Sequence, residues 1–168
     1  IKWLNNSAKR WRLNPSTGLV DVESFTSESS SKSGLRGVKF GECPGNFVIR
    51  NAGLTSLEGV PQKVGEGFYC DNNHLNSLEG APQEVGGNFS CSYNSLTSLE
   101  GAPQKVGGNF YCRGNQLTSL VGLPKNIGGE LYLPDNLVKF IQDLYRLGLS
   151  LDSLSKIIDQ IEGLKSSP

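Results

Sequence analysis

Residues 106–124, VGGNFYCRGNQLTSLVGLP, decide the fold, because the same unit recurs through the middle of the chain. Val64, Val85, Val106 and Ile127 stand 21 residues apart. Phe47, Phe68, Phe89 and Phe110 keep the same register, with Leu131 in the next place. Cys70, Cys91 and Cys112 follow, then Asn73, Asn94, Asn115 and Asn136, and each unit closes on two leucines, a glycine and a proline. Many positions agreeing over several copies at one short period identify a stack of identical supersecondary units.

One unit can be read physically. Phe110-Tyr111-Cys112-Arg113 alternates with the period of two of a short strand, so Phe110 and Cys112 face inward and Tyr111 and Arg113 outward. The chain must then turn. Asn115 suits that position because its amide offers donors and an acceptor to backbone groups that would otherwise be buried unpaired. Leu117 and Leu120 fill the core from the far side, and Gly122-Leu123-Pro124 leaves no room for a helix. An extended or polyproline-like return is expected there. Gly65, Gly86, Gly107 and Gly128 turn the chain into the next strand. One unit cannot bury its Phe and Leu alone; stacked neighbours do, each strand pairing in parallel with the last.

The period, the apolar spacing and the Asn are the signature of a leucine-rich repeat. The expected fold is an α/β solenoid, mostly β, with a parallel concave sheet, a non-helical convex side, an N-terminal hairpin cap and a C-terminal helical cap. Its parts are residues 1–34 as the N-terminal cap, 35–134 as repeats and 135–168 as the helical cap, all in one domain. Gly is abundant at 21 of 168 residues, but the glycines fall at repeat positions, so the excess is architectural.

The flanks depart from the repeat. Residues 1–12 carry Lys2, Lys9, Arg10 and Arg12 with Trp3 and Trp11 and no acid. That pattern suits nucleic acid, or an amphipathic cap whose tryptophans cover the open end of the stack. Asn14-Pro15-Ser16-Thr17-Gly18 has turn chemistry and predicts a hairpin between Trp11-Arg12-Leu13 and Leu19-Val20-Asp21-Val22. Residues 24–33 are serine-rich and read as a loop or degenerate turn. Ala52 replaces the expected Asn in the first clear copy, which predicts a less firmly held turn there. At the far end Pro134-Asp135 starts a helix with Asp135 as N-cap, and Gly148 stops it. Leu151, Leu154, Ile157, Ile158, Ile161 and Leu164 predict a second amphipathic helix.

Composition narrows function. Formal net charge is zero and charged residues make up 19%, so no global field draws the chain to nucleic acid or to an acidic membrane. No apolar run approaches the ~20 residues of a membrane span. The chain opens on Ile1 and holds no Met, as expected of a trimmed chain. Cys70, Cys91 and Cys112 share one inward ladder position and read as core filler; their spacing suits neither neighbouring disulfides nor a metal, and free thiols favour a reducing, cytoplasmic setting. His74 is the single histidine, and no nucleophilic triad, HExxH or P-loop is present, so no enzyme, cofactor or metal is expected.

The units LTSLEGAPQEVGGNFSCSYNSLTSLEGAPQKVGGNFYCRGNQLTSL resemble short bacterial-type leucine-rich repeats, and most of all the small repeat proteins encoded by bacteriophages and carried in bacterial genomes. In that group a Trp-Leu start and a Val-Asp-Val strand precede the repeats, as Trp3-Leu4 and Val20-Asp21-Val22 do here. The resemblance covers residues 35–137 closely and the flanks loosely. The repeats are also similar to secreted effectors of enteric pathogens, some of which append a ubiquitin-ligase domain. The resemblance implies a scaffold that binds a protein partner, with nucleic acid the alternative and a membrane not expected. Strand alternation then places the binding surface. Val48, Tyr69, Ser90, Tyr111 and Tyr132 face outward, with Arg50, Asp71, Ser92 and Arg113 two residues beyond and Asn72 and Tyr93 near the strand ends. Arg50, Tyr69, Asp71, Tyr93, Tyr111, Arg113 and Tyr132 are the candidate partner-binding residues, being types enriched at hot spots or charged beside them.

Overall fold

The computed structural model describes residues 7–27, 35, 37–146 and 148. The chain forms two compact units, Ile1–Pro134 and Asp135–Pro168, described here in turn. The first opens with an antiparallel hairpin of β1 (Ala8–Leu13) and β2 (Val20–Thr26). Its turn is built as the residue types require. The Asn14 side-chain oxygen accepts from the Ser16 and Thr17 amides at 3.1 and 3.3 Å, and Gly18 closes the turn at φ 71°.

Five turns of a parallel solenoid follow, each giving two short strands. The first strand of each turn belongs to the series β3 (Glu42–Cys43), β5 (Lys63–Val64), β7 (Glu84–Val85), β9 (Lys105–Val106) and β11 (Asn126–Ile127). The second belongs to β4 (Phe47–Val48), β6 (Phe68–Tyr69), β8 (Phe89–Ser90), β10 (Phe110–Tyr111) and β12 (Leu131–Tyr132). The latter series extends the hairpin into one seven-stranded sheet, ordered β1-β2-β4-β6-β8-β10-β12. The former makes a five-stranded sheet on the return side. That side is non-helical, as the sequence predicts, but it is not polyproline-like. Hydrogen bonds join its turns, among them Gly86 N to Val64 O at 2.9 Å and Gly107 N to Val85 O at 2.8 Å, which an isolated polyproline helix lacks. Stacking at the corner between the two sheets leaves no room for a side chain. A Cβ on Gly107 would run into the Gly86 carbonyl oxygen, and the same holds at Gly86 and Gly128.

The core is a column of rings. Phe47, Phe68, Phe89 and Phe110 are each 0% exposed and stack with centroids 5.8, 5.6 and 5.1 Å apart. Cys70, Cys91 and Cys112 lie buried beside them, and Leu54, Leu75, Leu96 and Leu117 close the column from the turn side. The asparagine ladder is as expected for Asn73, Asn94 and Asn115. The Asn94 oxygen accepts from Leu75 N at 3.0 Å, and its NH2 lies 3.1, 3.0 and 3.3 Å from the carbonyls of Cys70, Cys91 and Ser92. Ala52 does not loosen its turn. Asn73, one turn on, accepts from both Ala52 N and Leu54 N at 3.0 Å, so the missing amide is supplied by the neighbour.

Three expectations change. Residues 24–33 are not simply a loop: β2 runs to Thr26, and Phe25 stacks on Phe47 at 4.8 Å, so the ring column starts one rung earlier. Leu131, expected to face the core, is 37% exposed, because β12 is the edge strand and has a ladder neighbour on one side only. Asn136 leaves the ladder and lies in the helix α1 (Asp135–Arg146) of the second unit. That helix starts at Asp135 and carries Arg146 in its last turn, both favourable to the helix dipole. Gly148, at φ 82°, follows it as the expected stop. The second predicted helix, with Leu151 to Leu164, falls outside the described residues, as do Trp3 and Lys2.

Truncating one ring tests the column. Phe89→Ala is expected to cost ~3–5 kcal/mol of unfolding free energy in urea, since its neighbours above and below cannot close the gap. A cost under ~1 kcal/mol would mean that the column does not carry the fold.

Candidate interaction face

The outward residues of β4, β6, β8, β10 and β12 form two side-chain clusters separated by serines. In the first, the Arg50 guanidinium lies over the Tyr69 ring, 4.5 Å from its centre, while Arg50 Nε donates to Asp71 at 2.8 Å. The other Asp71 oxygen accepts from the Ser90 hydroxyl. Asp71 is therefore 8% exposed and satisfied from the rungs on either side. The sequence assigns Asp71 to the partner; the structure makes it a tether instead. Two donors sit on neighbouring strands, and a carboxylate so placed is held rather than offered. Ser90 and Ser92 are buried with it.

In the second cluster the Tyr111 and Tyr132 rings stack 4.6 Å apart at 13°, and the Arg113 guanidinium lies 4.9 Å from the Tyr132 ring centre. The Tyr111 hydroxyl accepts from Asn109 Nδ2 at 2.8 Å, and the Tyr132 hydroxyl donates to Glu130. That bond to Glu130 holds the Tyr132 phenol above its ordinary pKa. Arg113 makes no ion pair among the described residues.

Tyr93 stands apart from both. It is 60% exposed and adopts φ 55°, at the position where other turns place Asn51, Asn72 and Gly114. Asparagine and glycine tolerate that left-handed conformation, whereas a bulky aromatic residue is strained in it. The Tyr93 ring lies against Gly114, where a Cβ would collide with it.

A second asparagine ladder escapes the sequence reading. Asn46, Asn88 and Asn109 accept at 2.9, 2.8 and 2.8 Å from the backbone N–H one turn further on. Their period of 21 carries the signal, but Gly67 and Glu130 break the row.

At the other edge of the sheet, the basic residues of the hairpin are paired. Lys9 and Arg10 meet Glu23 at 2.8 and 3.4 Å, and Arg12 meets Asp21 at 3.1 Å. Asp21 also accepts from the Glu42 amide at 3.0 Å, and this bond, with Arg12 assisting, lowers its pKa. A depressed carboxylate stabilises the fold at neutral pH and loses that contribution as pH falls through its folded value.

The thiols are all reduced and buried. Burial pushes Cys43 and Cys112 up to about 12 and raises Cys70 and Cys91 well above the ordinary thiol value. Among the described residues no cluster of His, Cys, Asp and Glu could hold a metal ion, and no helix is long and apolar enough to cross a membrane.

Two outcomes follow. A maleimide at pH 8 should label none of the four thiols in the folded protein and all of them in denaturant; rapid native labelling would contradict their burial. Tyr93→Asn should keep the melting temperature or raise stability by up to ~1 kcal/mol, because it relieves the left-handed strain. A clear loss of stability would instead show that Tyr93 is kept for packing.

No family model matches this chain, and comparison with curated proteins and with solved structures returns no match.

Proposed function

We propose that the chain is a protein-binding scaffold, not an enzyme, and that it engages its partner on the outward face of the seven-stranded sheet. The observation that carries this reading is Tyr93, a largely exposed aromatic residue kept in a left-handed conformation that its counterparts fill with Asn or Gly. One part of the ring packs on Gly114 of the next turn, and the rest stands in solvent, as a contact residue does. Tyr111, Tyr132 and Arg113 add a surface fixed in advance by stacking and hydrogen bonds. Side chains already ordered lose little entropy when a partner binds.

The same reading takes the chain as a leucine-rich repeat protein of the phage-encoded kind, acting on a host protein. The runner-up of that kind is the recognition part of a secreted effector. Four reduced, protonated thiols suit a cytoplasmic setting in either case. Nucleic acid is the second reading, since basic residues among aromatics can grip phosphates and stack bases. The pairing of Lys9, Arg10 and Arg12 with Glu23 and Asp21 counts against it.

Affinity capture from bacterial extract at high salt, with the captured protein then purified, tests the proposal. Tyr111→Ala and Arg113→Ala should each weaken that complex by ~1–3 kcal/mol with little change in melting temperature. Equal binding by the double variant would move the site off this face. Capture of DNA or RNA alone, with steep salt dependence, would favour the second reading.

A further inference from the structure

One row of the outward face holds two arginines but a single carboxylate. Positions 50, 71, 92, 113 and 134 stand one repeat apart and carry Arg, Asp, Ser, Arg and Pro. Arg50 shows what an arginine does in this row. Its guanidinium covers the Tyr69 ring of the next rung, 4.5 Å from the centre, and its Nε donates to Asp71 of that same rung at 2.8 Å. Ring and carboxylate together fix the cation, so Arg50, Tyr69 and Asp71 make a closed trio.

Arg113 repeats the first half of that arrangement. Its guanidinium lies 4.9 Å from the ring centre of Tyr132, which β12 sets in register with Tyr111. The second half is missing, because the residue one repeat on, where Asp71 stands for Arg50, is Pro134. Glu130, the acid of that rung, is engaged by the Tyr132 hydroxyl. Arg113 is exposed and forms no ion pair among the described residues. The ring contact steadies the cation while its N–H fork stays open.

We infer that Arg113 is the docking point for an acidic side chain of the protein partner, which completes around Arg113 the trio that Asp71 completes around Arg50. A carboxylate matches the guanidinium in both charge and shape, taking two parallel N–H bonds from its fork. It also suits the site better than a phosphate. One cation stands here for one charge: the outward residues around Arg113 are Ser92, Tyr111 and Tyr132, with no second Arg or Lys among them. Tyr93 packs its ring on Gly114, the residue after Arg113, and leaves the rest of it exposed. The docking segment is therefore an acidic residue with an apolar neighbour. This rests on the proposal that the sheet face binds a protein, and it names the chemistry that face reads.

The probes are blocked Leu-Glu-Leu and Leu-Gln-Leu peptides, titrated against the protein by NMR at low salt. The Glu peptide should shift the Arg113 Nε–H signal and leave that of Arg50, already held by Asp71, in place. It should bind about two- to fivefold tighter than the Gln peptide, a preference that shrinks as salt is added. Arg113→Gln should abolish the preference. Pro134→Asp supplies a carboxylate from the chain itself, where Asp71 stands for Arg50, and should abolish it too with Arg113 still present. Should Pro134→Asp misfold, Arg113→Gln decides alone. No shift at Arg113, equal affinity for the two peptides, or an unchanged preference in either folded variant would overturn the docking point. A Leu-phosphoserine-Leu peptide bound more than about tenfold tighter than the Glu peptide would overturn the carboxylate in favour of a phosphate. Loss of the captured partner in Tyr111→Ala together with full binding by Arg113→Gln would reject the docking point and leave the face standing; full binding by both would reject the face.

Discussion

The asparagine amide that follows β6, β8 and β10 is the interaction on which the rest depends. Asn94 takes Leu75 N and Cys70 O from the preceding turn and Cys91 O and Ser92 O from its own, so one side chain closes two turns at once. Those backbone groups are buried beyond reach of water, and leaving such a group unpaired costs ~1–3 kcal/mol. Neither turn can complete its hydrogen bonding without the other. The same dependence fixes the period, since an inserted residue would carry the amide past its partners. It also explains the cysteines. Their Sγ atoms approach carbonyls one rung on, Cys70 to Ser90 O at 3.3 Å and Cys112 to Tyr132 O at 3.3 Å, so the position asks for something small, apolar and able to donate weakly.

A stack so tied imposes its spacing on whatever it displays. Outward side chains repeat at the rung distance, which suits ring stacking, and Tyr111 on Tyr132 uses it directly. Every rung could in principle look alike. Departures at Gly67, Ser90 and Tyr93 are therefore informative, because the scaffold does not require them. Gly67 leaves space that the Tyr69 ring fills, Ser90 is short, buried and bonded back to Asp71, and Tyr93 holds a strained backbone. The repeating positions account for stability, and the exceptions differentiate the surface.

Much of this was legible in the sequence where the 21-residue period could be followed. The inward Phe and Cys, the Asn turns and the outward Tyr and Arg all lie where alternation and period put them. What escaped depends on contacts between rungs or on the ends. Asp71 is buried because Arg50 and Ser90 flank it on neighbouring strands, which alternation within one strand does not reveal. Phe25 belongs to the ring column but lies 22 residues before Phe47, off the period. The return-side sheet is built of two-residue strands, too short for any alternation to register. Leu131 occupies a core position in pattern, yet the column has no further rung in the sheet to cover it.

That second sheet answers a difficulty the repeats create. Rungs with the same Phe, Cys and Asn give a core that would accept a neighbouring turn, or one from another molecule, almost as readily as its own. The outward row Glu42, Lys63, Glu84, Lys105 alternates in sign rung by rung, and the register places each opposite the next. Lys63 meets Glu84 at 2.9 Å, with the two side chains 75% and 49% exposed. A pair so exposed is screened by solvent, so the row adds little to the fold itself. Its effect is on the alternative: a slip of one rung sets Glu against Glu and Lys against Lys along the whole edge, while the core stays indifferent. Repulsion summed over the row then separates two arrangements that burial alone would leave nearly equal.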